Sequence, residues 1–243
     1  MASILRDINI SIINEVLIKE FDEHNICILG EIMSKYGSDK GWGLTTSFIE
    51  NNIYSPNGVC HNYTYFYEKL FSNYRNDNIS IFEMGVGVPS CMGSWAGSLL
   101  GWQEYFKNSE IYSADIDKNY LYNKDRIKSY YVDQHNEESI NNLWSELSDK
   151  LFDLIIDDGP HSFLSNYLFF ILSINKLKSG GIYIIEDVNL DFINKLYTDI
   201  NQFCLDNNIL ISIEKIIIPY PTKFKHTSVE LLKMNNIIII KKL

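Results

Sequence analysis

Asp157 and Asp158 close the apolar run of "FDLIIDDGPHSF", and His161 follows directly after a Gly-Pro turn. A second apolar run, "GIYIIEDV", closes on Glu186 and Asp187. Carboxylates at the mouths of buried strands are costly to desolvate unless something pairs with them. Clustered carboxylates hold hard, oxygen-preferring cations such as Mg²⁺ or Mn²⁺, and an imidazole beside them can move a proton near neutral pH. Taken singly, each acidic doublet reads equally well as a solvated turn or a helix cap. Carried to the ends of adjacent strands, the doublets would repel one another without a cation among them.

A second group of residues points to a nucleoside. The run "ISIFEMGVGVPS" ends in a turn where Gly85 and Gly87 allow the backbone to approach a ligand closely. The dinucleotide fingerprint is incomplete, because Pro89 and Ser90 stand where its third glycine would fall. Glu83 precedes the turn, which disfavours a pyrophosphate and suits a ligand carrying an ammonium group. S-adenosylmethionine has an ammonium and no phosphate. The next run, "IYSAD", ends at Asp115, placed to grip both ribose hydroxyls. "YYVDQ" then offers Asp133, with Gln134 beside it, to an adenine amino group. Asp157 is expected nearer the methionine end of the cofactor.

These residues need elements to position them. Five short apolar runs from Ile79 onward each end in an acid or a glycine, and segments of helical length separate them, at residues 91–106, 120–127, 137–147 and 163–177. Strands alternating with helices imply a parallel sheet, and nearly continuous apolar strands imply cover on both faces. After a helix over 191–205 come "ILISIEKIII" and "NNIIIIKKL", joined without a helix and therefore expected to pair antiparallel. The expected fold is a Rossmann-like α/β three-layer sandwich, its sheet of seven strands mostly parallel with the last reversed. Residues 76–243 would form this domain. Residues 1–75 would be a helical and loop appendage, with one helix over 8–22, a loop-rich stretch to about residue 60, and a second helix around Tyr63, Phe66, Tyr67, Leu70 and Phe71.

Composition narrows the partners. The 243-residue chain is 46% hydrophobic and 21% charged, enough for a sizeable core. A formal charge of -10 would repel phosphate backbones, so nucleic acid is not an expected partner. No apolar run approaches the ~20 residues of a membrane helix. The first residues lack a basic start followed by an apolar core, so no signal peptide is read. Cys27, Cys60, Cys91 and Cys204 are scattered without C-x-x-C spacing, which fits a cytoplasmic protein with reduced thiols. Assembly as a homo-oligomer is compatible with the sequence.

Three pieces together, "GSDKG…HNYTYFYEKLF", "IDDGPH" and "IIEDV", give the chain a family resemblance over residues 36–187. It resembles the class I S-adenosylmethionine-dependent methyltransferases. Within them it is similar to the macrocin and mycinamicin sugar O-methyltransferases and to relatives called cephalosporin hydroxylases. The resemblance implies Asp158, Glu186 and Asp187 as ligands of a divalent metal and His161 as the base. It implies methyl transfer to a hydroxyl of a small-molecule acceptor, a sugar or a phosphorylated or nucleotide-linked metabolite. Pro160 departs from the small residue common before that histidine, and the N-terminal part is shorter than in the macrolide enzymes. Ser38, Asp39, Lys40, His61 and Tyr67 read either as lining of the cofactor or acceptor site or as core and solvated charge. Two rival readings stay open: a metal-independent methyltransferase with the carboxylates in salt bridges, and a nucleotide-binding oxidoreductase, hydroxylase or non-catalytic binding module.

Overall fold

In a computed structural model, described for residues 2–11, 13, 27–40, 61, 63–87, 94–218 and 233–243, a seven-stranded sheet organises the chain. Its strands are β1 (Ser80–Met84), β2 (Glu110–Asp115), β3 (Ile127–Tyr131), β4 (Phe152–Asp157), β5 (Leu177–Ile185), β6 (Ile211–Ile217) and β7 (Asn236–Lys242). They lie in the order β3-β2-β1-β4-β5-β7-β6. The first five are mutually parallel, and β7 runs antiparallel to both β5 and β6. The reversed seventh strand inserted between β5 and β6 completes the expected fold. All of β1 and all of β4 are buried, as their unbroken apolar character requires.

Helices cover both faces. Helices α1 (Ile28–Lys35), α2 (Tyr63–Phe71) and α3 (Gly97–Tyr105) share one core with the inward residues Ile81, Leu154, Ile156 and Ile182. Helices α4 (Glu137–Glu146), α5 (Phe163–Ser173) and α6 (Ile193–Asp206) pack on the other face around Phe82, Phe152, Ile155 and Tyr183. Local signals fix the helix starts. Asn136 caps α4, with Glu137 and Glu138 in the first turn, and Ser162 and Ser165 form a reciprocal capping box on α5.

Leu5, Ile8 and Ile10 enter the same core as α1 and α2, so these described N-terminal residues pack onto the sheet. Their anchor is Asp153, fully buried in β4. It accepts hydrogen bonds from the Ser3 hydroxyl (2.7 Å) and the backbone N–H groups of Ile4 and Ser80, and it pairs with Lys178 at 2.7 Å.

Two local expectations change. No helix spans 120–127: the β2–β3 connection is a 3-10 turn at Lys118–Tyr120 followed by irregular chain, and β3 begins at Ile127. Asp125 adopts φ 53°, and Tyr122 packs edge-on against Trp95, which takes the apolar residues of this stretch out of helical phase. The stretch read as loop after residue 22 contains α1, capped by Cys27. The helix expected over 8–22 lies mostly outside the described residues, as do Pro89, Ser90, Cys60, Cys91 and the loop between β6 and β7. Among the described residues, no helix is long and apolar enough to cross a membrane.

Candidate active site

The carboxyl ends of β1, β2, β4 and β5 open into one cavity of about 490 Å³. At one end lie Gly85, Gly87, Asp115, Ile116, Val132 and Gln134; at the other, Asp39, His61, Asp158, His161 and Asp187. This is where a parallel sheet binds ligands, beyond the carboxyl ends of its strands.

The glycine turn is pressed against the acidic one. Gly85 has φ 95°, and a Cβ on it would collide with the carbonyl oxygen of Asp158. Glycine is therefore required there on two counts, backbone conformation and space. Asp115 faces the cavity with its carboxylate braced by two backbone donors, Val86 N–H and Asp117 N–H, each at 2.9 Å. Asp133 does not line the cavity. Its carboxylate accepts from His135 N–H at 3.0 Å and closes its own turn, which leaves Val132, Gln134 and His135 as the lining there.

The alternation of β4 carries over its end and separates two neighbouring acids, Asp157 and Asp158. Asp157 is fully buried and faces α5, accepting from Gln134 Nε2 at 2.6 Å and Asn166 Nδ2 at 3.0 Å. Burial pushes its pKa up to about 6 against the lowering effect of those two amides. It does not line the cavity, contrary to the expectation of a methionine-end contact. Gln134 lines the cavity but spends its amide NH₂ on Asp157 and the Ser165 carbonyl.

Asp158 emerges into the cavity, and so does Asp187, which adopts φ 52°. His161 does the same at φ 52°, so two non-glycine residues of the site hold a left-handed backbone, a strain that tends to gather where function demands a fixed geometry. His161 Nε2 lies 3.6 Å from Asp187 and 3.9 Å from Asp158, while its buried Nδ1 has no hydrogen-bond partner among the described residues. One ligand atom each from Asp158, His161 and Asp187 lie within 4.8 Å of one another, a set that fits a divalent cation.

Glu83 and Glu186 sit behind this wall. Glu83 is completely buried, holding Ser98 Oγ and Trp102 Nε1 at 2.5 Å each, with Lys40 Nζ at 3.5 Å. It is sealed below the cavity floor and does not line the site expected of it. Glu186 is 1% exposed, accepts from Tyr67 Oη at 2.5 Å, and receives the ammonium of Lys40. Of the three carboxylates expected to hold metal, two therefore reach the cavity.

Lys40 is the residue that sequence reasoning left undecided. It is 1% exposed, paired with Asp158, Glu186 and Glu83 together. Burial alone would lower its pKa, but those three carboxylates, with Asp39 nearby, outweigh that and hold it well above the ordinary lysine range. Tyr63 donates to Asp187, and His61 stacks on Tyr63 with its Nε2 3.4 Å from the same carboxylate and Nδ1 3.0 Å from Asn235. Against the cost of burial, His61, His161 and Tyr63 keep the Asp187 pKa below its usual value. Burial raises the Asp39 pKa, offset in part by His61 and Lys40. In the sequence, Lys40, Asp39, His61 and Tyr63 all fall within the "GSDKG…HNYTYFYEKLF" block that carries the family resemblance.

No family model matches the sequence. The chain is 31% identical over 144 residues to the mycinamicin VI 2''-O-methyltransferase of Micromonospora griseorubida, covering 58% of this chain and 35% of that protein. It is 27% identical over 178 residues to the 8-demethyl-8-alpha-L-rhamnosyl tetracenomycin-C 2'-O-methyltransferase of Streptomyces olivaceus, covering 73% of this chain and 42% of that one. The chain thus spans less than half the length of these relatives. In structure it is similar to the mycinamycin-pathway methyltransferase MycE, solved with Mg, SAH and mycinamycin VI. The TM-score is 0.59 at 24% identity, over 90% of this chain and 55% of that one. Strand order and fold are those of a class I methyltransferase. In sequence it is similar to the mycinamicin VI 2''-O-methyltransferase and to the demethylmacrocin O-methyltransferase of Streptomyces fradiae, the latter 30% identical over 54% of this chain and 33% of that one.

Proposed function

We propose that this protein is an S-adenosylmethionine-dependent O-methyltransferase acting on a sugar hydroxyl of a glycosylated small molecule, with Mg²⁺ or Mn²⁺ at the acceptor end of the site. One observation carries the reading. A single cavity brings the glycine turn and Asp115 face to face with Asp158, His161 and Asp187. The relatives support the acceptor class, since the Streptomyces olivaceus enzyme is named for a rhamnosyl compound and 2'-O-methylation.

Asp158 and Asp187 would hold the cation from the cavity side, with His161 in reach and Glu186 behind them. A bound divalent ion supplies the lowering of a hydroxyl's pKa. Neutral His161 takes the acceptor proton on Nε2, and Asp187 steadies the imidazolium that results. Asp115 and the Gly85–Gly87 backbone fix the nucleoside, so that reactants meet in one orientation.

Calorimetry with S-adenosylhomocysteine, and transfer of labelled methyl to a panel of rhamnosides and other glycosides, tests the reading. Binding together with EDTA-sensitive transfer restored by Mg²⁺ is the expected result. Absence of both binding and transfer overturns it. A metal-independent variant of the same chemistry is favoured by Lys40, which already places a positive charge among Asp158, Glu186 and Glu83. Transfer that survives EDTA selects that variant.

A further inference from the structure

We propose that Asp39, and not Glu83, receives the ammonium group of the cofactor's methionine moiety. The proposal rests on the cofactor reading above and adds the residue that would tell the whole cofactor from its nucleoside fragment. Among the described residues four carboxylates line the cavity: Asp39, Asp115, Asp158 and Asp187. Three are already engaged. Asp115 is held by Val86 and Asp117 N–H, Asp158 by Lys40, and Asp187 by Tyr63 with two imidazoles alongside. The partly buried carboxylate of Asp39 feels the charges of His61 and Lys40, yet it accepts no hydrogen bond and forms no direct ion pair among the described residues. A carboxylate withdrawn from water in this way is stabilised by an incoming cation that donates hydrogen bonds.

Its position suits that role. Gly37 accepts from Ser94 N–H at 2.8 Å, and a Cβ on Gly97 would meet Tyr36 O at 2.7 Å and Ser38 N at 3.1 Å. The loop bearing Asp39 is therefore locked onto the start of α3. Ser94 is also the nearest neighbour of Gly87, so this loop and the glycine turn share one support. Asp39 thus lines the acidic end of the cavity from a loop that is braced, through Ser94, against the glycine turn of the nucleoside end. Glu83, the acid that precedes the glycines, is shut beneath the floor and already satisfied by Ser98, Trp102 and Lys40.

The test compares S-adenosylhomocysteine with 5'-methylthioadenosine, which keeps the nucleoside and sulfur but lacks the ammonium and carboxylate. In Asp39→Asn, affinity for S-adenosylhomocysteine should fall at least about tenfold while that for methylthioadenosine stays unchanged. Binding of methylthioadenosine doubles as the check that the variant is folded, and Asp39→Ser provides a second variant. In Glu83→Gln the ratio of the two affinities should stay at the wild-type value. An unchanged ratio in both Asp39 variants, or a collapsed ratio in Glu83→Gln alone, overturns the proposal. A wild-type protein that binds neither compound overturns the cofactor reading itself, a result distinct from either.

Discussion

The ammonium of Lys40 donates a hydrogen bond to the carboxylate of Glu186 across 146 positions of sequence, with both side chains closed off from solvent. A single cation there serves three acids, Glu186, Asp158 and Glu83. Lys40→Met should leave them uncompensated and destabilise the fold by about 3–5 kcal/mol, the usual cost of breaking a buried ion pair on one side. Urea denaturation measures the loss. Mg²⁺ should stabilise this variant more than the wild type, because it restores positive charge to the same acids. Equal stabilisation of both proteins would place the cation elsewhere.

Asp158→Ala should abolish stabilisation by Mn²⁺ in thermal melts and leave S-adenosylhomocysteine affinity within about threefold, less than the ~1.4 kcal/mol of a tenfold change. The two half-sites draw on different strand ends, β1 and β2 for the nucleoside and β4 and β5 for the acids. A melt in which Mn²⁺ still acts fully on the variant argues against Asp158 as a ligand.

His161→Gln keeps much of the ring's bulk and hydrogen bonding but has no basic nitrogen. Turnover should drop by about 10²- to 10⁴-fold, with cofactor affinity retained, and His161→Ala should be no better. Wild-type turnover in the Gln variant, with the same dependence on pH, would leave His161 only a role in placing the acceptor.

Asp157 gives a dependence of stability on pH. Its pKa in the folded protein is raised to about 6, against about 3.9 for an unperturbed aspartate. The native state therefore holds the proton more tightly. Its contribution is fully present below about pH 4 and is lost as pH rises to about 6, by up to about 3 kcal/mol. Urea denaturation at intervals between pH 4 and pH 7 should show this loss in the wild type and a flatter profile in Asp157→Ala. Parallel profiles would show that Gln134 and Asn166 offset the burial of the charge in full.

The strands were readable because a sheet covered on both faces demands unbroken apolar runs, and "FDLIID" and "GIYIIED" supply them. The acids at their ends were equally visible as residues of the site. Which way each acid points was not. Asp157 and Asp158 are adjacent, so a shift of one position decides whether a carboxylate meets Asn166 or the cavity. Glu83 was misplaced for a related reason, since the partners that close it in, Trp102 and Lys40, come from outside its own strand. Lys40 itself was undecidable locally, because its partners lie 118 and 146 residues away. The false helix over 120–127 arose from the length of the segment between two strands, where Asp125 in a left-handed conformation breaks the helical course.

The missing side chain of Gly85 leaves two backbones touching, that of the glycine turn and that of Asp158. Neighbouring parallel strands carry them, with Met84 opposite Asp157 in register. On the proposed reading, donor and acceptor are thus gauged against one shared wall, like two jaws of a vice cut from a single block. The gap the methyl group must cross is then a property of the sheet. Loops farther out are free to vary with the acceptor without resetting it.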